Sequence, residues 1–257
     1  MMRRSLLAAG LGLPLVARAE GGGAPIFAAG ATQDAVTELQ RGLRATGRPM
    51  PGALFDTVGA IRDRILAGER PAVTLLSAEA IRALEGRGLL VAGAVAEVGR
   101  TGVGLAAPAG RPAPEIGTAE AFRATLLSAD SIAVADPERG ATAGRHFFAV
   151  LDRLGLSEAL RPRLRLVPFG GEGVDMAARG EVALAVSQAT EILRRPGVQL
   201  VGLLPEELNL WTAYRVAIVQ DGPEARALFA LLTGEAARDA FAHSGFIPAD
   251  GPQPVRR

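Results

Sequence analysis

The sequence predicts an α/β protein with mixed, mostly parallel sheets and helices on both faces. Two observations carry that prediction. Short runs rich in Val, Ile, Leu and Ala alternate with amphipathic stretches along most of the chain, the pattern of repeated βα units. Several strand-to-helix turns are built from Gly, Ala, Ser and Thr, residues that allow a tight reversal. PIFAA (25–29) reads as the first strand. Residues 32–46 read as a helix because Ala35, Val36, Leu39 and Leu43 share one face.

A Gly/Pro-rich turn at 47–52 leads into a helix over 58–67. Residues 72–76 read as a buried strand, Ser77 as an N-cap and 78–85 as a helix. Residues 94–107 are long and extended, ending at the loop PAGRPAP (108–114), and a helix over 118–127 follows. The stretch SIAVADPERGATAGRHFFAVLDRLGL (131–156) then gives a strand (132–135), a small-residue turn at 140–144 and a helix ending at Gly155. Residues 164–168 form another strand, and GGEG (170–173) a tight turn into a helix over 174–179. A strand (182–187), a helix (188–194), a strand (198–203) and an extended run (212–219) follow. Two helices, over 223–233 and 235–243, close the fold.

The N-terminus predicts export. Arg3-Arg4, the apolar stretch 5–16 and the small-x-small site Ala17-Arg18-Ala19 form a signal peptide cleaved after Ala19, and the destination predicted is the periplasm. Removing Arg3, Arg4 and Arg18 from the 28 basic residues, all of them arginine, leaves 25 against 27 acids. The absence of cysteine excludes a lipid anchor on an N-terminal Cys, a disulfide scaffold, a thiol nucleophile and a zinc–thiolate site. No basic stripe with interleaved aromatics points to nucleic acid. Beyond the signal, the longest apolar stretch, 89–107, is broken by Glu97 and Arg100 and is no membrane span.

The chemistry-bearing feature is the 131–156 unit. A helix start leaves backbone N–H groups unpaired at the positive end of the macrodipole, so it can hold an anion without a charged side chain. Thr142 adds a hydroxyl as N-cap or ligand. Four junctions share this character: 29–32, 56–59, 141–144 and 170–173. Ligands of open α/β sheets lie at such carboxyl ends of strands. Arg145 can cover an anion or face solvent, and Trp211 and Tyr214, each the sole residue of its kind, cover the cleft or only pack there. His146 and His243 read as ordinary helix residues rather than a catalytic pair. No G-x-S-x-G elbow and no metal-spaced His/Glu set is present.

IFAAGATQDA (26–35), ILAGERPAV (65–73), Leu76-Ser-Ala78, VADPE (134–138) with Ala143-Gly144, 202–205 and SGFI (244–247) resemble, in their order and spacing, the periplasmic molybdate-binding proteins of ABC transporters. The resemblance implies a type II periplasmic-binding-protein fold of two lobes, 24–104 plus 214–250 and 105–213, joined by a two-strand hinge at 102–107 and 212–216. It implies a monomeric, non-enzymatic receptor with no cofactor or metal, which delivers a small anion to an inner-membrane permease. The binding residues it implies are Ala31, Thr32, Thr57, Gly59, Thr142, Ala143, Gly171 and Ser187. The chain departs from the family where Ala31 replaces a serine, Thr57-Val-Gly59 a serine cluster, Ser187 a tyrosine and Val73 an aspartate. The expected ligand is therefore a molybdate-like oxyanion or, given the altered pocket, an organic anion. A secreted α/β hydrolase stands as the alternative.

Overall fold

A computed structural model describes residues 26–248; the export signal expected at 1–19 lies outside them. In chain order the elements are β1 (Ile26–Ala29), α1 (Gln33–Ala45), β2 (Ala53–Asp56), α2 (Val58–Leu66), β3 (Val73–Ser77), α3 (Ala78–Glu85), β4 (Val95–Thr101) and β5 (Val103–Pro108). Then come α4 (Ala119–Ser128), β6 (Ile132–Ala135), α5 (Thr142–Arg153), α6 (Ser157–Leu160), β7 (Leu164–Val167), α7 (Gly170–Ala178) and β8 (Leu184–Gln188). The chain closes with α8 (Ala189–Ile192), β9 (Val198–Leu203), β10 (Thr212–Ile218), α9 (Pro223–Thr233) and α10 (Glu235–His243).

The strands form two five-stranded sheets, ordered β2-β1-β3-β10-β4 and β7-β6-β8-β5-β9. The halves repeat one plan. In the first sheet β1 runs parallel to β2 and β3, while β10 is antiparallel to β3 and β4. In the second, β6 runs parallel to β7 and β8, while β5 is antiparallel to β8 and β9. One strand in each sheet thus opposes the rest, as the sequence predicts for mostly parallel sheets. The central strands β1, β3, β6 and β8 are buried along their whole length, because helices cover both faces. One apolar core lies around the first sheet, with Ile26, Ile61, Ile65, Leu75, Ile81 and Leu84 fully enclosed. Each such side chain contributes about 1.5–3 kcal/mol of burial. The second sheet has a core on each face: Phe122, Leu126 and Phe147 on one, Ala133, Val174 and Ala185 on the other.

Four details differ from the sequence reading. Ala53–Asp56 is a strand, held as the edge partner of β1. The extended run 94–107 is two strands in two sheets, broken at Gly102. There a Cβ would come within 2.8 Å of Asn209 Nδ2, and Asn209 Oδ1 accepts the Val103 N–H at 3.0 Å. The glycines 170–173 are the first turns of α7 rather than a turn before it. The helix expected over 188–194 is only Ala189–Ile192. The chain passes between sheets at Gly102 and again over 204–211.

Candidate functional site

All four junctions meet. A cavity enclosing about 30 Å³ is walled on the first-sheet side by Ala29, Gly30 and Ala31, by Asp56, Thr57 and Val58, and by Tyr214 of β10. The second sheet supplies Ala135, Ala141, Thr142 and Ala143 around the start of α5, Phe169 and Gly170 at the start of α7, and Ser187, Gln188 and Glu191. The site therefore sits at the carboxyl ends of β1, β2, β6, β7 and β8, where an open α/β sheet places its ligands. One water needs about 10–15 Å³ of such space, so as closed here the cavity has room for about two or three waters, and a ligand with several carbons fits only with the two walls further apart. A second hollow of about 290 Å³ adjoins it, shares Thr142, and is lined also by Ser77, Arg82 and Trp211.

The predicted residues fall into three groups. Ala31, Thr57, Thr142, Ala143 and Ser187 line the cavity. Thr142 is not an N-cap: Ala141 takes that place without a side-chain bond, and Thr142 opens the helix. Its buried hydroxyl lies beside that of Tyr214 but has no hydrogen bond of good geometry. The ladder of α5 begins only at Arg145 N–H to Ala141 O, so the N–H groups of 142–144 precede it and lack intrahelical acceptors. Thr32 is fully buried but spends its hydroxyl on Ala29 O at 2.8 Å, outside the cavity wall. Gly171 is likewise behind the wall, with its N–H given to the Glu191 carboxyl.

Gly59 has another task. Its N–H donates to Gly140 O at 3.1 Å, and a Cβ on it would come within 2.7 Å of Gly140 Cα. Gly140 is itself left-handed, at φ +71°. Next to this pair, Thr57 caps α2 by accepting from Ala60 N at 3.1 Å and donates to Arg139 O at 2.5 Å. Arg139 also faces Asp56 at 3.7 Å. These bonds tie the halves shut along one rim. At another edge, Glu38 of α1 meets both Arg194, which follows α8, and His243 of α10, the latter at 2.9 Å. The His243 hydrogen bond is the largest influence on Glu38, and Arg194 adds to it, so its carboxyl is held below the usual range.

The residue that sequence reasoning missed is Glu191. It is partly buried, and its carboxyl, on the cavity wall, accepts from the Ser187 hydroxyl, from Gln188 N–H at 3.3 Å and from Gly171 N–H. A Cβ on Gly30, across the cleft, would lie 3.0 Å from Glu191 Oε1, and one on Gly170 would overlap the Ser187 hydroxyl and lie 2.7 Å from Oε2. Two glycines from opposite halves thus make room for this carboxyl. Burial pushes its pKa up, against the opposing pull of those hydrogen bonds and of Arg195. An acid three residues past the end of a strand, at the third position of a helix, is a capping pattern and was the available signal. Tyr214 is also enclosed, edge-on to Phe246 at 5.6 Å. Burial, more than the charge of Glu191, raises its hydroxyl pKa, so it stays a neutral donor. Trp211 lies under the Arg100 guanidinium, 6.0 Å from its ring centre, and lines only the outer hollow. His146 binds Leu208 O at 2.7 Å and Arg145 is exposed, so neither reaches the cavity.

Residues 26–247 match the bacterial extracellular solute-binding protein family. The chain belongs to that family. Its fold is the type II periplasmic-binding-protein fold: the Azotobacter vinelandii periplasmic molybdate-binding protein superposes with a TM-score of 0.72 at 17% identity, over 90% of this chain and all of that one. Among named relatives, an aconitate isomerase of Pseudomonas sp. is 31% identical over 199 residues, 76% of this chain and 74% of that protein. The molybdate-binding protein ModA of Escherichia coli (strain K12) is 28% identical over 124 residues, 48% of each chain. A solute-binding protein is thus similar both to an anion receptor and to an enzyme of organic acids, and no relation to a hydrolase emerges.

Proposed function

We propose that this protein is a solute receptor that closes its two halves over a small organic anion bearing several carboxylates, for delivery to a membrane permease. Divided by sheet membership rather than at 104/105 and 213/214, the halves are 26–101 with 212–248, and 103–203, and the hinge moves from 102–107 and 212–216, which are strands of the two sheets, to Gly102 and 204–211. The observation that carries the reading is the cavity wall itself. Its donors are the free N–H groups at the start of α5, the Thr142 hydroxyl and the Tyr214 hydroxyl. The rest is largely apolar: Ala29, Ala31, Val58, Ala135, Ala141 and Ala143. Helix-start N–H groups suit a carboxylate, and alanine methyls suit a carbon skeleton. A bare tetrahedral oxyanion needs donors on every side, and here hydroxyls are missing at Ala31 and Val58 while that of Ser187 is committed to Glu191. The adjoining hollow with Arg82 gives a longer anion room for a second carboxylate.

A thermal-shift panel of citrate, tricarballylate, cis- and trans-aconitate, succinate, sulfate and molybdate tests this, since a ligand of the folded state raises the melting temperature. Stabilisation by a polycarboxylate and not by molybdate is the expected result. Molybdate as the best stabiliser overturns it.

A second reading rests on Glu191 and on the similarity to an aconitate isomerase. A buried carboxyl with a raised pKa, lining a cleft that holds a polycarboxylate, is suited to remove a proton from a carbon next to a ligand carboxylate. The C–H electron pair moves into the adjacent carboxylate and double bond. Return of the proton at the far allylic carbon shifts the double bond, and nothing is oxidised or reduced. Proton NMR of trans-aconitate with catalytic protein in D2O decides it: appearance of the cis isomer with deuterium at carbon supports isomerisation, and an unchanged spectrum leaves a receptor alone.

A further inference from the structure

We propose that Glu191 is a ligand-contacting residue that holds a proton when an anion occupies the cleft, so that each anion is taken up together with one proton. This rests on the receptor reading above, not on the isomerase reading, which needs Glu191 ionised in the complex, and it adds the protonation state of the site. The donors around Glu191 already serve it: the Ser187 hydroxyl and the N–H groups of Gln188 and Gly171. Its other oxygen faces Gly30 of the opposite half, across the space that closure seals. A ligand carboxylate seated against the start of α5 shares that enclosed space with the Glu191 carboxyl. Two carboxylates there cannot both stay ionised without a cation.

Arg82 lines only the adjoining hollow, and the charges nearer Glu191 are already shared. Arg195 is the cation nearest Glu191, its guanidinium close beside Gly171, but it also faces Asp175 of α7 at 3.4 Å. On the facing wall Asp56 is a second acid, matched by Arg139 at 3.7 Å. Tyr214 of β10 is neutral. On the outer side of α8, Arg194 is bound to Glu38 and faces Asp34, while His243 takes the other oxygen of Glu38. Desolvation outweighs the hydrogen bonds and Arg195 at Glu191 even before a ligand charge arrives, and that charge pushes in the same direction. The protonated carboxyl then donates to the ligand carboxylate, converting a repulsion into a charge-assisted hydrogen bond.

The test is calorimetric titration of the protein with citrate, tricarballylate and trans-aconitate between pH 7.5 and 9.5, where every ligand carboxyl is ionised, in buffers of different ionisation heat. Expected is an uptake that climbs toward one proton per anion as pH rises, with affinity falling about tenfold per pH unit in the upper range. Glu191→Gln, whose amide donates in the same place, binds with no proton uptake and with flat affinity, and exceeds the wild type at pH 9. Carboxylate binding without proton uptake by the wild type, or undiminished uptake by Glu191→Gln, overturns the inference and leaves the proposed function standing. Failure of every carboxylate to bind either protein at any pH overturns both.

Discussion

Replacing Gly59 with alanine separates closure from folding. Gly59 touches the other half of the molecule through its N–H to Gly140 O. The two backbones approach too closely there for a methyl group, which would meet Gly140 Cα at 2.7 Å and Arg139 O at 2.9 Å. In the closed form Gly59→Ala forfeits a hydrogen bond worth about 0.5–1.5 kcal/mol and meets overpacking of about 1–3 kcal/mol. With the halves apart neither cost exists, and alanine in α2 is favoured over glycine by up to about 1 kcal/mol. On the proposed reading closure seals the ligand in, so ligand affinity falls by roughly 10- to 1,000-fold while the ligand-free melting temperature holds or rises. Calorimetry with the best-binding carboxylate gives the first quantity, calorimetric melting the second, and small-angle scattering reads the separation of the halves. Unchanged affinity refutes the assignment of the Gly59–Gly140 pair to closure. A drop in ligand-free stability that accounts for the affinity loss refutes it equally.

Thr142→Val keeps the shape of a hydroxyl that has no good partner inside the protein; stability stays within about 0.5 kcal/mol, while carboxylate affinity falls roughly 10- to 100-fold, the value of a hydrogen bond to a charged group. Unaltered binding removes Thr142 from the site. Glu191→Gln reports on the buried acid without any ligand. Because burial raises the folded-state pKa of Glu191, the fold favours its protonated form, and that stability is present below the unfolded carboxyl value and lost as pH rises through the folded one. The variant therefore gains on the wild type in melting temperature from pH 4.5 to pH 8, and a constant difference contradicts the assignment. Glu38 has the opposite sign: its folded value is depressed, chiefly by His243, so its contribution is present above the unfolded value and lost as pH falls through the folded one. Since these partners are largely solvated, Glu38→Gln costs no more than about 1 kcal/mol at pH 7, and the gap from wild type closes at pH 3.5 or in 1 M salt.

Much of this was legible in the chain because small residues at strand ends have few other uses. The junctions at 29–32, 56–59, 141–144 and 170–173 were identified by composition, and the tertiary fold brings all four to one cavity. Composition does not show which atoms remain free there. Thr32 and the Gly59 N–H are consumed by local and cross-cleft bonds, while the unremarked Glu191 faces inward. Its four-residue helix is too short to display periodicity, and a glutamate at the third position of a helix is ordinarily just part of a cap. β2 was missed for a related reason: ALFD is brief and half-buried at a sheet edge, so it shows neither alternation nor an apolar run. The glycines of α7 read as a turn because each costs a helix about 1 kcal/mol. Tertiary packing requires them, since Gly170 leaves space for Ser187 and Glu191 and Gly173 lies against Ala133.

The central claim is that this cleft holds an organic polycarboxylate rather than a bare oxyanion. Competition calorimetry tests it most directly, with citrate, tricarballylate or trans-aconitate titrated into the protein with and without excess molybdate. The account predicts saturable binding of a polycarboxylate at one site per chain, unaffected by molybdate. Tight binding of molybdate that polycarboxylates cannot displace contradicts it.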